Sequence, residues 1–277
     1  GTYNNNYVQS TELSANGGVI ANYIEKSIEK NDKVQIGNIN ASFDGNYVIS
    51  DKDSAYGGAI SNFYVKGISD ENYKNAIIES INSTFENNFA ETKSTESSKG
   101  AYGGAISNIA TINAINNSIF RNNYAMSAGG SNAFGGAIYT GQDLAINANN
   151  NGLTEFTGNY VSTDGGATKN YEAIYVNGAN KTLTLNAETK GTILMNDYVN
   201  GVAGYNVSLT GDSTGTIKLF DKADIKGGAN VTVGENVIID TADGAIQKFS
   251  EFNSLKSSES AKYNIDVDLS EVSGDKS

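Results

Sequence analysis

The chain has 277 residues, a formal net charge of -12 and no Cys, His, Pro or Trp. Without cysteine and histidine it has no disulfides, no thiolate chemistry and none of the usual zinc or copper ligand sets, so no metal or cofactor is expected. Its acidity excludes nucleic acid as a partner, because nothing offers the row of cations that phosphates require.

Residues 1–16 carry little pattern: Tyr3, Tyr7 and Val8 offer a first rung, while Asn4-Asn5-Asn6 reads as a turn or a frayed end. Gly17-Gly18-Val19-Ile20 is a worn copy of a phrase that stands intact further on. The intact copies are Gly57-Gly58-Ala59-Ile60, Gly103-Gly104-Ala105-Ile106 and Gly135-Gly136-Ala137-Ile138, each preceded by an aromatic residue. Tyr23 to Lys33 mixes charges with Ile24 and Ile28 and reads as a solvated loop between rungs. A second phrase alternates strictly with the first: Phe43 to Asn46, Phe85 to Asn88, Phe120 to Asn123 and Phe156 to Asn159, each followed by Tyr or Phe.

Aligned copies of the second phrase assign positions. A small residue (Ala41, Ser83, Ser118 or Thr154) stands two before the Phe, on the same inward face of a strand. Two after the Phe comes Gly45, Asn87, Asn122 or Gly158, types that tolerate a left-handed backbone, so a sharp corner belongs there. The asparagine that follows is expected to hydrogen-bond to its copies along the stack. The paired glycines mark tight turns; they lack the G-x-G-x-x-G spacing and the Lys-Ser/Thr of a nucleotide loop.

Between an Asn-aromatic phrase and the next glycine pair lie stretches of variable length, at residues 50–55, 91–100, 127–133 and 162–170. Leaving one corner, they would line one edge, which is the candidate binding surface: Glu91, Lys93, Glu96, Lys99, Ser127, Asn132 and Asp164. After Tyr175 the phrases fade into β-prone runs at Thr182–Leu185, Thr192–Met195, Val207–Thr210, Thr216–Phe220, Asn230–Val233 and Val237–Asp240. A loop is expected near residues 250–262 before alternation resumes at Tyr263.

Recurrence of Phe, Asn and aromatic in fixed register favours a parallel β-helix over an antiparallel sandwich, since only the former stacks equivalent positions directly. The expectation is an all-β, single-stranded solenoid over residues 1–277, with a repeat part at 17–175 and shorter degenerate rungs at 176–277. At roughly 20–25 residues per turn it would make about a dozen turns and extend on the order of 60 Å.

The alternating G-G-A-I and F-x-x-N phrases resemble those of the polymorphic outer-membrane proteins of chlamydiae and related autotransporter passengers. The resemblance implies a right-handed parallel β-helix, displayed on or released from a Gram-negative outer membrane and used for adhesion. Its implied partner is a protein or glycan on a host or bacterial surface. Export signal and membrane barrel would lie outside this segment, and the barrel alone would attach it to a membrane. Two other roles compete: a carboxylate-based polysaccharide lyase or hydrolase, and a self-associating module. The acids are dispersed, with Asp51 and Asp53 in a loop and Arg121 pointing outward, so no catalysis is expected. Asp266 and Asp268 share a strand face and form only a weak calcium signal.

Overall fold

The computed structural model describes residues 1–24, 33–64, 75–241 and 251–264. Among these the chain coils so that each strand pairs in parallel with its equivalent one turn on. One turn runs through Ser42–Asp44, Tyr47–Ser50, Ala55–Tyr56, Ile60–Tyr64 and Ala76–Ile81 before Thr84–Glu86 comes to lie on Ser42–Asp44. Stacking the turns gives five sheets, of nine, five, four, six and nine strands. The fold is a parallel β-helix.

Alternation puts one residue type at each interior level. Phe43, Phe85, Phe120 and Phe156 are fully buried and stack at 4.8, 4.9 and 4.7 Å between ring centroids, within 6° of parallel. Opposite them Ile81, Ile115, Ile146, Leu185, Leu209 and Val233 follow in register. This is the main core. A second, thinner core of Ala15, Val48, Ala55, Ala90, Ala101, Ala125, Ala133 and Val161 lies between the five-stranded and four-stranded sheets and is built of alanine and valine alone.

A waist divides the two cores, and the glycine pairs make it. Gly57, Gly103 and Gly135 turn the chain at φ of 65°, 70° and 65°. The second glycine of each pair has an ordinary φ but no room: a Cβ on Gly104 would strike the Gly136 carbonyl and the Tyr124 backbone, and one on Gly58 would strike Phe89. The glycine phrase therefore presses on the residue that follows the ladder asparagine. Contact between the two phrases is the reason that they alternate.

Four expectations need correction. Both phrases share one turn, so successive ladder asparagines stand 40, 42, 35 and 36 residues apart, and only the later turns are short, as at Asn206 and Asn230, 24 apart. The longest sheets have nine strands, about 38 Å at about 4.8 Å per step, rather than a dozen turns and 60 Å. Tyr23 and Ile24 end the strand Ile20–Ile24, with Ile24 buried, so the loop expected from Tyr23 starts too early; residues 25–32 lie outside the described residues. Finally, Phe252–Ser257 is a strand paired with Ala229–Val233, so this part of the segment near 250–262 stays on the coil.

The opening residues are more regular than they read: Thr2–Asn4 and Tyr7–Ser10 pair in register with Ser42–Asp44 and Tyr47–Ser50. Tyr3-Asn4-Asn5-Asn6-Tyr7 is a fifth copy of the second phrase, with Tyr in place of Phe, and Asn5 takes the corner at φ 54°. All six later β-prone runs overlap strands.

The waist gives a direct test. Gly104→Ala should lower the urea midpoint by the equivalent of about 1–3 kcal/mol, from overpacking against backbone that cannot yield. Gly141→Ala, where the nearest neighbours stand 3.9 Å away, should leave it unchanged.

Candidate functional site

The repeat builds an internal amide column. Each ladder side chain donates from Nδ2 to Oδ1 of the next: Asn6 to Asn46 at 2.9 Å, Asn46 to Asn88 at 2.9 Å, Asn88 to Asn123 at 3.0 Å and Asn123 to Asn159 at 2.9 Å. The same Oδ1 accepts the backbone N–H of the preceding asparagine, and the other Nδ2 hydrogen goes to the carbonyl of the preceding coil's aromatic. Asn46, Asn88, Asn123 and Asn159 are fully buried. The corner positions behave as expected, with positive φ at Gly45, Asn87, Asn122 and Gly158.

A second column went unread in the sequence. Asn22 donates to Asn62 at 2.8 Å, Asn62 to Asn108 at 2.9 Å and Asn108 to the Thr140 hydroxyl at 3.3 Å, all four buried. The signal was available: an asparagine follows G-G-A-I-S in two copies. A third register, Ser10, Ser50, Thr92 and Ser127, places a small hydroxyl where each loop leaves the coil. Ser50 and Thr92 there donate to loop carbonyls, and Ser10, Ser50 and Thr92 accept a loop N–H.

Two buried carboxylates finish the thinner core. Asp197 stands where the next ladder amide would be and accepts the Asn159 N–H and Nδ2 at 2.8 and 2.9 Å and the Gly158 N–H at 3.0 Å. Burial pushes its carboxyl up to about 6 against the pull of these donors. The four-stranded sheet ends at Asn132–Phe134, and Gly135 N–H, left without a strand carbonyl, donates to Glu172 at 2.7 Å. Burial raises Glu172 to about 7, opposed by Gly135 and the Asn200 amide. Sequence gave no sign of either acid, because both lie where the phrases fade.

The loops do leave the coil at one corner. Asp51, Lys93, Ala128 and Gly165 each donate a backbone N–H to Ser10, Ser50, Thr92 and Ser127 respectively. The seven proposed contact residues are placed unevenly along that edge. Glu91 is half-buried in the strand Phe89–Thr92, its carboxyl raised by burial. Ser127 is fully buried in Tyr124–Ser127 and bonds the Ser131 carbonyl, so shielding removes it from any surface role. Asn132 sits in Asn132–Phe134 and holds the Ser97 carbonyl at 2.9 Å. Lys93 pairs with Asp51 at 2.8 Å and Lys99 with Asp53 at 3.0 Å. Glu96 is exposed, and Asp164 is held down at about 2 by the Thr168 N–H and the Ser162 hydroxyl.

Outside the loops, opposite charges meet across coils. Arg121 is half-exposed and joins Glu155 at 2.5 Å and Glu86 at 3.4 Å across three coils. Among the described residues no group of three or more acids is arranged to hold a metal, and no helix is long and apolar enough to cross a membrane. Asp266 and Asp268 lie outside the described residues. A column of rings, Tyr7, Tyr47, Phe89, Tyr124 and Tyr160, climbs the outside of the five-stranded sheet at 4.8–5.1 Å spacing.

Residues 82–109 match a family model described as the Chlamydia polymorphic membrane protein repeat. The matched stretch contains one copy of each phrase, Phe85 to Asn88 and Gly103 to Ile106. In this segment the chain resembles a family of outer-membrane proteins of autotransporter type. No curated protein and no solved structure matches the chain.

Two measurements follow from this geometry. Asn123→Leu strips the Asn88 N–H and amide of their buried acceptor and should cost about 2–5 kcal/mol in chemical denaturation, whereas Lys93→Ala should leave the midpoint in place. Because Asp197 and Glu172 have folded pKa values raised above their unfolded ones, their favourable contribution is complete below about pH 4 and is lost as pH rises through 6–7. Thermal midpoints should therefore fall between pH 5 and 8, and Glu172→Gln should flatten that fall.

Proposed function

We propose that this coil is part of the surface-displayed passenger of an autotransporter-type outer-membrane protein, acting as an adhesin or as the stalk that carries one, without catalysis. Its partner would be a protein or glycan on a host or bacterial surface. The observation that carries the reading is the repeat at residues 82–109 set in a coil from which four loops leave at one corner. A rigid rod fixes those loops at regular spacing, so weak contacts at successive levels act together. The self-association reading stays secondary; the Asn, Ser and Thr of the outer faces bond one another along the stack, as between Asn186 and Thr210 at 2.9 Å.

Catalysis is not part of the proposal because Glu86 and Glu155 flank Arg121 and are neutralised by it rather than left free. A polysaccharide-cleaving β-helix needs an uncompensated acid or base against its substrate.

Since Ser127 and Glu91 belong to strands, the loop edge is best tested by side chain. Purified protein should bind mammalian or bacterial cells saturably, and the triple variant Lys93→Ala, Glu96→Ala, Lys99→Ala should lose most of that binding with its circular dichroism unchanged. Undiminished cell binding by the triple variant would move the contact off this edge, and no binding by either protein would leave the coil a stalk.

A further inference from the structure

One groove on the surface has the composition of a ligand site. It runs across three coils beside the outer aromatic column, encloses about 400 Å³ and is walled by Tyr124, Tyr160 and Tyr171, with Asn87, Asn122 and Gly158 on its other side and Lys169 at one end. That volume falls in the lower part of the range for small-molecule sites and admits about two sugar rings. Gly158, at φ 72°, keeps its side of the groove free of a Cβ.

The lysine is placed by structure rather than by chance. Residues 162–169 form a closed loop: Val161 N–H donates to the Asn170 carbonyl at 2.8 Å, and Asn170 N–H returns to Val161 at 2.9 Å. Asp164 fastens the loop from within, accepting the Ser162 hydroxyl and the Thr168 N–H. Lys169 then stands with Nζ 4.5 Å from the centre of the Tyr160 ring, and among the described residues it meets no carboxylate. At the same end Lys222 covers the Tyr171 ring at 4.3 Å, though its charge is shared with Asp221 at 2.9 Å.

We propose that this groove binds an acidic saccharide, with the sugar carboxylate on Lys169 and the ring hydroxyls on the asparagine amides. Resting on the adhesin reading, it gives the coil a second contact apart from the loop edge and names the chemical class that contact takes. Tyr124 is stacked between Phe89 and Tyr160, so the column offers ring edges and phenol hydroxyls, and these beside amides that both donate and accept suit a sugar, whose C–H patches alternate with hydroxyls. An acidic peptide brings one N–H and one C=O per residue, fewer polar groups than the several hydroxyls of a sugar ring, and a neutral sugar would leave the cation without its counter-charge. The overall negative charge does not forbid an anion here, because charges beyond about 8 Å are screened at physiological salt.

Calorimetric titration of the purified protein with sialyllactose, an oligogalacturonate, lactose and tetraglutamate tests the assignment. The expected result is saturable binding of at least one acidic saccharide with Kd on the order of 1 mM, weakened about fivefold or more by Lys169→Ala and unchanged by Lys256→Ala. Lactose should bind no better than the acidic saccharide binds to the Lys169→Ala variant. The assignment is overturned if neither acidic saccharide saturates, if Lys169→Ala changes nothing, or if lactose or tetraglutamate binds as tightly. Cell binding that survives any of these failures while remaining sensitive to the triple loop variant would leave the adhesin reading standing.

Discussion

The structure depends on satisfying a polar corner inside an apolar coil. Each turn of the repeat must bend sharply after its Phe or Tyr, and the bend carries backbone N–H groups away from water, where an unpaired donor is costly. One asparagine per turn solves this by accepting two N–H bonds and donating two, all at 2.9–3.0 Å, and because each copy serves its neighbour the solution works only when stacked. The glycine pair answers the same corner from across the coil, letting backbone touch backbone where any Cβ would intrude. Phe, Asn and Gly-Gly are thus one device rather than three motifs.

That device also explains where the repeat stops. The thinner core exists only where both phrases are present, and when they fade the five-stranded and four-stranded sheets end with them. Asp197 and Glu172 close the last copies by supplying carboxylate oxygens to N–H groups that the next turn would otherwise have met. Beyond them the six-stranded sheet ends at Tyr198–Gly201, with one more bridge from Val199 to Ile225, and the coil drops to turns such as the 24 residues between Asn206 and Asn230, held mainly by the two nine-stranded sheets.

Much of this was legible in the residues. Strand positions, the left-handed corners and the asparagine column follow from side-chain period and from which residues tolerate positive φ, so Gly45, Asn87, Asn122 and Gly158 could be placed unaided. Turn length could not, because periodicity does not say how many strands share one turn; the answer needed the contact of Gly104 with Tyr124. The loop edge was half legible. Variable length marked it correctly, but the inward hydroxyl of Ser127 looks the same in sequence as an outward one. The groove was hidden because it joins residues as distant as Asn87 and Tyr171, and only coiling brings them to one surface.

Surface chemistry follows from the same regularity. A stack repeats its outer positions as faithfully as its inner ones, so like residues meet and must be reconciled, by ring stacking from Tyr47 to Tyr160 or by alternating charge at Glu86, Arg121 and Glu155. Sites can form only where the pattern is interrupted, as at the closed loop of residues 162–169.

The unequal width of the coil has a mechanical consequence. A two-core turn is fastened to its neighbour along four or five strands and by buried amide columns, while a late turn is held along little more than two. Fewer bonds must break to peel a narrow turn, so under a pull along the axis the narrow turns open before the broad ones.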